Sequence, residues 1–303
     1  MKWWKPLKGK VKLNEPLEKH TTFGVGGAAD FFIQPKDRPD LKLLLNLLKR
    51  GKMPFLLIGS GSNLLVLDKG VRRVVISLDY PCFKKVLCRD AIVEAGSGVL
   101  LSSLIRFSCQ KGLSGTEFLS GIPGTVGGAL VMNAGVSEKS SAQGGKTRSI
   151  ADLVKDVTVM DRRGNVKTLQ RKQISFGYRK SSLRQYIILS SRFRLIRESK
   201  RQIEERIKRY IGYRSSTQEA CWRSAGCVFK NPANDSAGRL IDLCGLKGER
   251  IGDACISKAH ANFIFNAGKA KAGDILKLMA FIRKKVKAKF GIELEPEIMI
   301  WQG

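Results

Sequence analysis

The chain has 303 residues, 43% of them hydrophobic and 27% charged, which suits a globular protein with room for two domains and a large buried core. No apolar run approaches the ~20 residues of a membrane-spanning helix, and MKWWKPLKGKVK has neither an apolar stretch nor a small-residue cleavage site, so no span and no signal peptide are expected and the cytoplasm is the default location. Fifty-five Lys+Arg against 26 Asp+Glu leave a net charge of +29, which favours anionic partners: nucleic acid, an acidic membrane face or a phosphorylated small molecule.

In chain order, helical spacing of leucines marks residues 38–50, and PFLLIG (54–59) and RVVISL (73–78) read as strands. AIVEAG (91–96) is a further strand and 100–111 a second helix. VKDVTVMD (154–161) meets VKTL (166–169) through Arg162-Arg163-Gly164-Asn165, a hairpin signal, and YIILSSRFRLI (186–196) is extended. After residue 196 the texture changes. A charged helix (197–214) is followed by a loop region rich in Gly, Asn, Pro and Ser, short strands, and a basic helix (273–291) ending at Gly291, a good C-cap. A domain boundary is placed near 196, and the first domain divides into two lobes near 80.

Both late helices carry an apolar stripe: Ile203, Ile207, Tyr210 and Ile211 in one, and Ile275, Met279, Ile282, Val286 and Phe290 in the other. Their lysines and arginines therefore read as solvated faces of docked helices. No recognition-helix signature and no aromatic interleaving of the basic runs accompany them, which argues against a nucleic-acid binder. The seven cysteines (82, 88, 109, 221, 227, 244, 255) form no Cys-x-x-Cys pair, so neither zinc nor iron–sulfur spacing is present and no metal site is expected. An odd, scattered set fits a reducing compartment, where a cysteine taken singly reads as a small buried hydrophobe.

Two glycine-rich loops stand out. Gly59-Ser60-Gly61-Ser62-Asn63 follows a strand but fails the dinucleotide fingerprint: its sixth position is Leu64, and an extended segment rather than a helix follows. What remains is a turn of backbone N–H groups and hydroxyls that either holds phosphate oxygens or is a plain tight turn. The second loop, LSGIPGTVGGALVMNAG (119–135), contains Gly121, Gly124, Gly127 and Gly128, where backbone can approach a flat or phosphorylated ligand closely or where helices pack. Two such loops in one domain favour a dinucleotide. GGKT (144–147) lacks the first glycine of a P-loop, with Ser140 in its place, so an NTPase is rejected.

Seven segments then occur in a fixed order: HTTFGVGGAADFF (20–32), GSGSNLLV (59–66), GIPGTVGGALVMNAG (121–135), ISFGYRKSSL (174–183), SAGCVFKNP (224–232), HANFIFN (260–266) and LEPEI (294–298). Together they resemble the UDP-N-acetylenolpyruvoylglucosamine reductase family, over nearly the whole chain, in its shorter subclass. The resemblance implies an α+β protein: an FAD-binding domain of the vanillyl-alcohol-oxidase (PCMH) type over 1–196 and a C-terminal α+β substrate-binding domain over 197–303. It implies FAD and NADPH as cofactors, a UDP-sugar as substrate, a cytoplasmic place in peptidoglycan precursor synthesis, no nucleic acid, and a monomer or weak homo-oligomer. FAD falls to Gly59, Ser60, Gly61, Ser62, Asn63, Gly121, Ile122, Pro123, Gly124, Gly127, Gly128 and Asn133.

The implied reaction adds hydride to an enolpyruvyl double bond, leaving enolate-like charge beside a carboxylate. That charge needs a cationic or hydrogen-bonding partner, and the other carbon needs a proton. By resemblance the catalytic residues are Arg179 of FGYR, Glu297 of L-x-x-E, and Cys227, with Tyr178, Lys230 and Asn231 on the substrate. Read without the resemblance, Arg179 is a surface arginine, and Glu293, Glu295 and Glu297 alternate as the solvated face of a strand. Three positions depart from the family's pattern. Cys227 stands where serine is usual, a thiol of unperturbed pKa ~8.5 and so the better acid. Gly24 stands where a basic residue is common, and Ala259, preceded by Lys258, where lysine is expected. Two other readings compete: an oxidase of the same FAD fold acting on another small substrate, and a basic protein binding nucleic acid or a membrane surface.

Overall fold

The computed structural model describes residues 2–136, 147–217 and 223–303. The greater part of GGKT, Ser140 and Cys221 lie outside them. The chain folds as two compact units, one built from residues 1–12, 32–59 and 74–214, the other from 13–31, 60–73 and 215–303. It passes between them within the strands Lys10–Pro16, Ala28–Gln34 and Val71–Ser77, between Gly59 and Ser60, and within helix α4 (below).

In the first unit, helix α1 (Arg38–Arg50) starts where expected, with Asp37 as N-cap accepting from Asp40 N at 2.9 Å and Pro39 in the first turn. Its buried side comprises Leu41, Leu44, Leu45 and Leu48. Asp40 is also buried, and its carboxylate accepts from three backbone N–H groups: Lys8 (2.9 Å), Gly9 (2.8 Å) and Lys36 (2.9 Å). It thereby fixes the N-terminal segment, satisfying a buried charge with backbone donors. After α1, Phe55–Ile58 runs parallel to the end of Val71–Ser77, from Phe55↔Val74 to Ile58↔Ser77.

The larger sheet of this unit is antiparallel, in the order Val166–Gln170, Val154–Met160, Ile187–Arg194, Ile92–Gly96, Val86–Arg89. The Asp161–Asn165 hairpin forms because the Asp161 carboxylate accepts from Arg163 N, Asn165 N and Asn165 Nδ2, which holds its pKa below the usual carboxylate value. Gly164, at φ 83°, supplies the left-handed residue. Val93, Ala95, Val157, Val159 and Phe193 share one core with Leu101, Leu104 and Ile105 of helix α2 (Leu101–Gln110) and with Val126, Ala129 and Leu130 of the short helix α3 (Val126–Val131). Tyr210 and Ile207 of helix α4 (Lys200–Thr217) join that core.

In the second unit, an antiparallel sheet runs in the order Ser224–Cys227, Phe263–Asn266, Ala254–Ile256, Arg250–Ile251, and Met299–Trp301 pairs in parallel with Leu64–Val66. Helices α5 (Ala237–Leu243) and α6 (Ala272–Phe290) bury Leu240, Ile241, Ile275, Leu278, Met279, Ile282 and Val286 against Val228, Phe229, Ile256 and Ile264. The Asp68 carboxylate accepts from Ala272 N (2.9 Å) and Gly273 N (3.0 Å) at the N-terminus of α6, and Gly291, at φ 69°, closes its other end as the sequence predicts.

One expectation is corrected. Residues 293–297 form no strand; they make a single bridge, Phe229↔Pro296, because Pro296 has no N–H to give to a ladder. The three glutamates consequently part company. Glu293 pairs with Arg283 (2.7 Å) and Lys287 (3.4 Å), Glu295 pairs with Lys230 (3.0 Å), and Glu297 is held through its backbone.

Candidate active site

In the first unit, the loop ahead of α3 is laced onto the turn that follows Ile92–Gly96. Leu101 N donates to Gly124 O (3.0 Å), Val126 N to Val99 O (2.8 Å) and Gly127 N to Ser97 O (2.9 Å). A Cβ on Gly127 would stand 3.0 Å from Ser97 Cβ, and one on Gly59 only 2.6 Å from Thr125 Oγ1, so both glycines are needed for close approach. Thr125 Oγ1 in turn accepts from Gly128 N at 3.3 Å. Gly59 and the 121–128 loop are thus neighbours, and Ile122 N donates to Leu119 O (3.0 Å) at the start of that loop.

The FGYR segment is a tight hairpin with Phe176↔Ser181 and Gly177↔Lys180 paired and Tyr178-Arg179 at its tip. It is tied to the end of α3: Ser181 Oγ donates to Leu130 O (2.8 Å) and Val131 O (3.1 Å), and Asn133 Nδ2 donates to Gly177 O (3.0 Å). Arg179 sits at φ 54°, an uncommon conformation for a non-glycine residue and one that clusters at functional sites. Its guanidinium lies over the exposed Tyr178 ring, 5.3 Å from the centroid.

Three buried polar atoms here find no protein partner among the described residues: Asn133 Oδ1, Ser97 Oγ and Ser120 Oγ. Buried groups of this kind cost free energy unless a ligand or water satisfies them. Together with a glycine backbone that no side chain screens, they fit the donors and acceptors of a flavin nucleotide. Ser97 and Ser120 are absent from the sequence-based set. Their signal was available, since Ser97 lies in Gly96-Ser97-Gly98 and Ser120 directly precedes Gly121.

In the second unit, Gly61 is at φ 63°, and a Cβ there would fall 2.0 Å from His20 O. Asn63 reaches the C-terminal motif: its Nδ2 donates to Glu297 O (3.2 Å) and its carbonyl accepts from Met299 N (2.9 Å). Glu297 N donates to Val228 O at 2.7 Å, and Lys230 N to Glu295 O at 2.9 Å. Segments 227–230 and 295–297 therefore lie side by side, and Glu297 is brought beside the residue that follows Cys227.

Cys227 ends a bulged strand. Ser224 pairs with Phe265 and Cys227 with Phe263, so Ala225 and Gly226 together face one residue of the partner strand. Gly226 is at φ 76° and its N–H donates to Ser224 Oγ (3.2 Å). A bulge of this kind re-aims the side chain that follows it, which explains why Ala-Gly precedes the cysteine. Asn231 Oδ1 accepts from Ala237 N (3.0 Å), and Lys230 Nζ bonds the exposed Glu295, so both have structural contacts besides any with a ligand.

The departures also have local answers. The Arg223 side chain lies along Gly24, its Cδ 3.5 Å from where a Cβ would be, and its Nη1 donates to Gly268 O (2.7 Å); a guanidinium from another segment covers the glycine. Around Ala259, Ser257 Oγ accepts from Ala259 N (3.2 Å) and His260 N (3.0 Å). Burial lowers the pKa of His260, and its Nδ1 accepts from Asn262 N (3.3 Å), which assigns the neutral Nε2–H tautomer.

Residues 29–170 match a family model described as an FAD binding domain, and residues 217–301 match the C-terminal domain of UDP-N-acetylenolpyruvoylglucosamine reductase. The reductase of that name from Geobacter metallireducens is 43% identical over 295 residues, covering 97% of this chain and 95% of that one. Its counterpart from Desulforamulus reducens is 38% identical over 296 residues, covering 97% and 94%. The crystal structure of the Thermus caldophilus enzyme matches with a TM-score of 0.80 at 38% identity, covering 98% of this chain and 100% of that one.

Proposed function

The chain belongs to the UDP-N-acetylenolpyruvoylglucosamine reductase family, FAD- and NADPH-dependent oxidoreductases of peptidoglycan precursor synthesis, and from this premise we propose how its residues divide the work. Its fold is the family's α+β fold, with an FAD-binding domain of the vanillyl-alcohol-oxidase type and a C-terminal α+β domain. It reduces the enolpyruvyl group of UDP-N-acetylenolpyruvoylglucosamine to UDP-N-acetylmuramate.

When bound, FAD would supply the hydride for the enolpyruvyl double bond, with NADPH as its reductant. Gly59, Ser60, Gly61, Ser62, Asn63, Gly121, Ile122, Pro123, Gly124, Gly127, Gly128 and Asn133 would hold it. To these we add Ser97 and Ser120, whose buried hydroxyls need partners. The Arg179 guanidinium stabilises the charge that develops next to the substrate carboxylate, and Tyr178 at the same hairpin tip contacts the substrate. Cys227 Sγ–H gives the proton to the second carbon, and Glu297 serves beside it. Lys230 and Asn231 carry substrate contacts from the loop that follows.

One observation supports this reading above the others: the backbone of Glu297 bonds both Val228 and Asn63, which joins the cysteine motif, the C-terminal motif and the first glycine loop. A domain division near residue 196, between the two matched segments, is part of the proposal. A monomer or weak homo-oligomer in the cytoplasm completes the proposal.

An anaerobic titration tests it. The purified protein is expected to be yellow, its flavin band bleached by NADPH and restored by the enolpyruvyl sugar. A folded protein without flavin, or a reduced band that only oxygen restores, overturns the reading.

A further inference from the structure

A cysteine that donates a proton must be held to within a fraction of an ångström of its target carbon, and Cys227 lies at the end of a strand beside an irregular loop. The restraint upstream is the bulge at Ala225-Gly226. Downstream, the structure shows a side chain of the HANFIFN segment to which the sequence assigned no role. Asn262 is buried, 2% exposed, and its carboxamide grips both backbone groups of one residue: Oδ1 accepts from Phe229 N (3.0 Å), and Nδ2 donates to Phe229 O (2.8 Å). Its own carbonyl accepts from Val228 N at 2.9 Å. Phe229 is fully buried, and the outer side of the same segment bonds the C-terminal motif through Val228 O and the Phe229↔Pro296 bridge.

We propose that Asn262 is the positioning residue for the proton donor, its carboxamide fixing Phe229, two residues after Cys227, and with it the alignment of Cys227 and Glu297. The inference rests on the assignment of Cys227 as proton donor. An asparagine suits the task because one planar amide offers a donor and an acceptor at the spacing of a peptide N–H and C=O. It replaces a strand partner where the ladder stops, and does so with a group that cannot titrate. The pairing is specific: aspartate keeps the acceptor for Phe229 N but sets a carboxylate against Phe229 O, and alanine leaves both backbone groups buried and unpaired.

The test separates the half-reactions of the flavin-loaded enzyme by stopped flow. In Asn262→Ala, reduction of the flavin by NADPH is expected to stay within about twofold, while reoxidation by the enolpyruvyl sugar slows about 10²-fold, the scale of a 1 Å misplacement. The solvent deuterium isotope effect on reoxidation should rise, because proton transfer becomes the slower event, and the Phe229 amide should exchange faster. Asn262→Asp, which keeps the bond from Phe229 N but sets a carboxylate oxygen against Phe229 O, should likewise slow reoxidation and spare flavin reduction, and serves if the alanine variant loses its flavin. In a Cys227→Ala background, Asn262→Ala should cost little more, since the group it aligns is gone. Equal loss in both half-reactions, or a penalty undiminished in the Cys227→Ala background, overturns the positioning role. Unimpaired reoxidation in Cys227→Ala alone overturns the proton-donor assignment itself, and is read before Asn262 is touched.

Discussion

At the scale of single residues, the chain's most unusual feature is sulfur in place of oxygen at position 227. A serine hydroxyl is a far weaker acid than a thiol of unperturbed pKa ~8.5, so the cysteine gives its proton to an enolate more readily but leaves a larger, softer anion behind. The bulge before it is the same device for either side chain, which makes exchange tolerable. Cys227→Ser is therefore expected to keep much of the turnover. Cys227→Ala should leave flavin reduction by NADPH intact and slow reoxidation by the enolpyruvyl sugar by about 10²-fold or more, the contribution of a general acid. Rapid mixing with each substrate in turn distinguishes the two steps, and equal damage to both would assign the thiol to packing instead.

At the scale of elements, the same bulge has a stability signature. A Cβ at Gly226 would meet nothing within 4 Å, so space is no obstacle, and only the backbone angle of 76° resists a side chain. Gly226→Ala should cost about 1–2 kcal/mol, the penalty of a left-handed residue with a Cβ, visible as a lowered melting temperature in an otherwise normal fold. A second element depends on charge. Arg206 of α4 donates to the buried Glu117 (2.9 Å) and to Glu198 (2.5 Å), while Glu117 also accepts from Gly115 N (2.6 Å). The Arg206 hydrogen bonds hold Glu198 below the usual carboxylate pKa. A depressed pKa gives stability that is complete above the unfolded-state value of ~4.3 and is lost as pH falls through the folded one. Glu198→Gln should accordingly be less stable than wild type at pH 7, with the gap closing below about pH 4.3; a gap constant across denaturation curves at pH 7 and pH 3.5 would refute the assignment. How far each element was legible follows from the range of its contacts. The leucine-rich helix at 38–50, the hairpin at 162–165 and the Gly291 cap are local and were read from neighbouring residues alone. Asp40 with Lys8, Glu117 with Arg206 and Asn262 with Phe229 pair residues distant in sequence, and no local pattern announces them. The strands Lys10–Pro16 and Ala28–Gln34 also escaped, because KVKLNEP is mostly polar and AADFFIQ sets Phe31, Phe32 and Ile33 in succession without alternation. In the candidate site, residue identities came from ordered motifs, whereas the restraints that aim them came only from the fold.

At the scale of the whole molecule, the +29 charge is explained by neither the fold nor the flavin, yet it has a consequence for substrates. Lys277 and Lys284 lie on the exposed side of α6, whose opposite side is packed in the core of the second unit. Among the described residues neither has a carboxylate partner, so their charge adds to the field that solvent meets. Both NADPH and the UDP-sugar are multiply anionic. A positive field raises their concentration near the surface and their encounter rate without altering chemistry at the bound complex. That separation is the test. The field's reach contracts from about 30 Å at 0.01 M salt to about 10 Å at 0.1 M. Across that range the KM values for both anions should rise several-fold while kcat holds, and the rise should be smaller in Lys277→Gln/Lys284→Gln. If the salt dependence appeared in kcat instead, the charge would be acting on a step after binding. If it were absent, the surplus would serve a partner other than the substrates, and salt-sensitive retention of the holoenzyme on anionic vesicles would then be the observation that replaces steering.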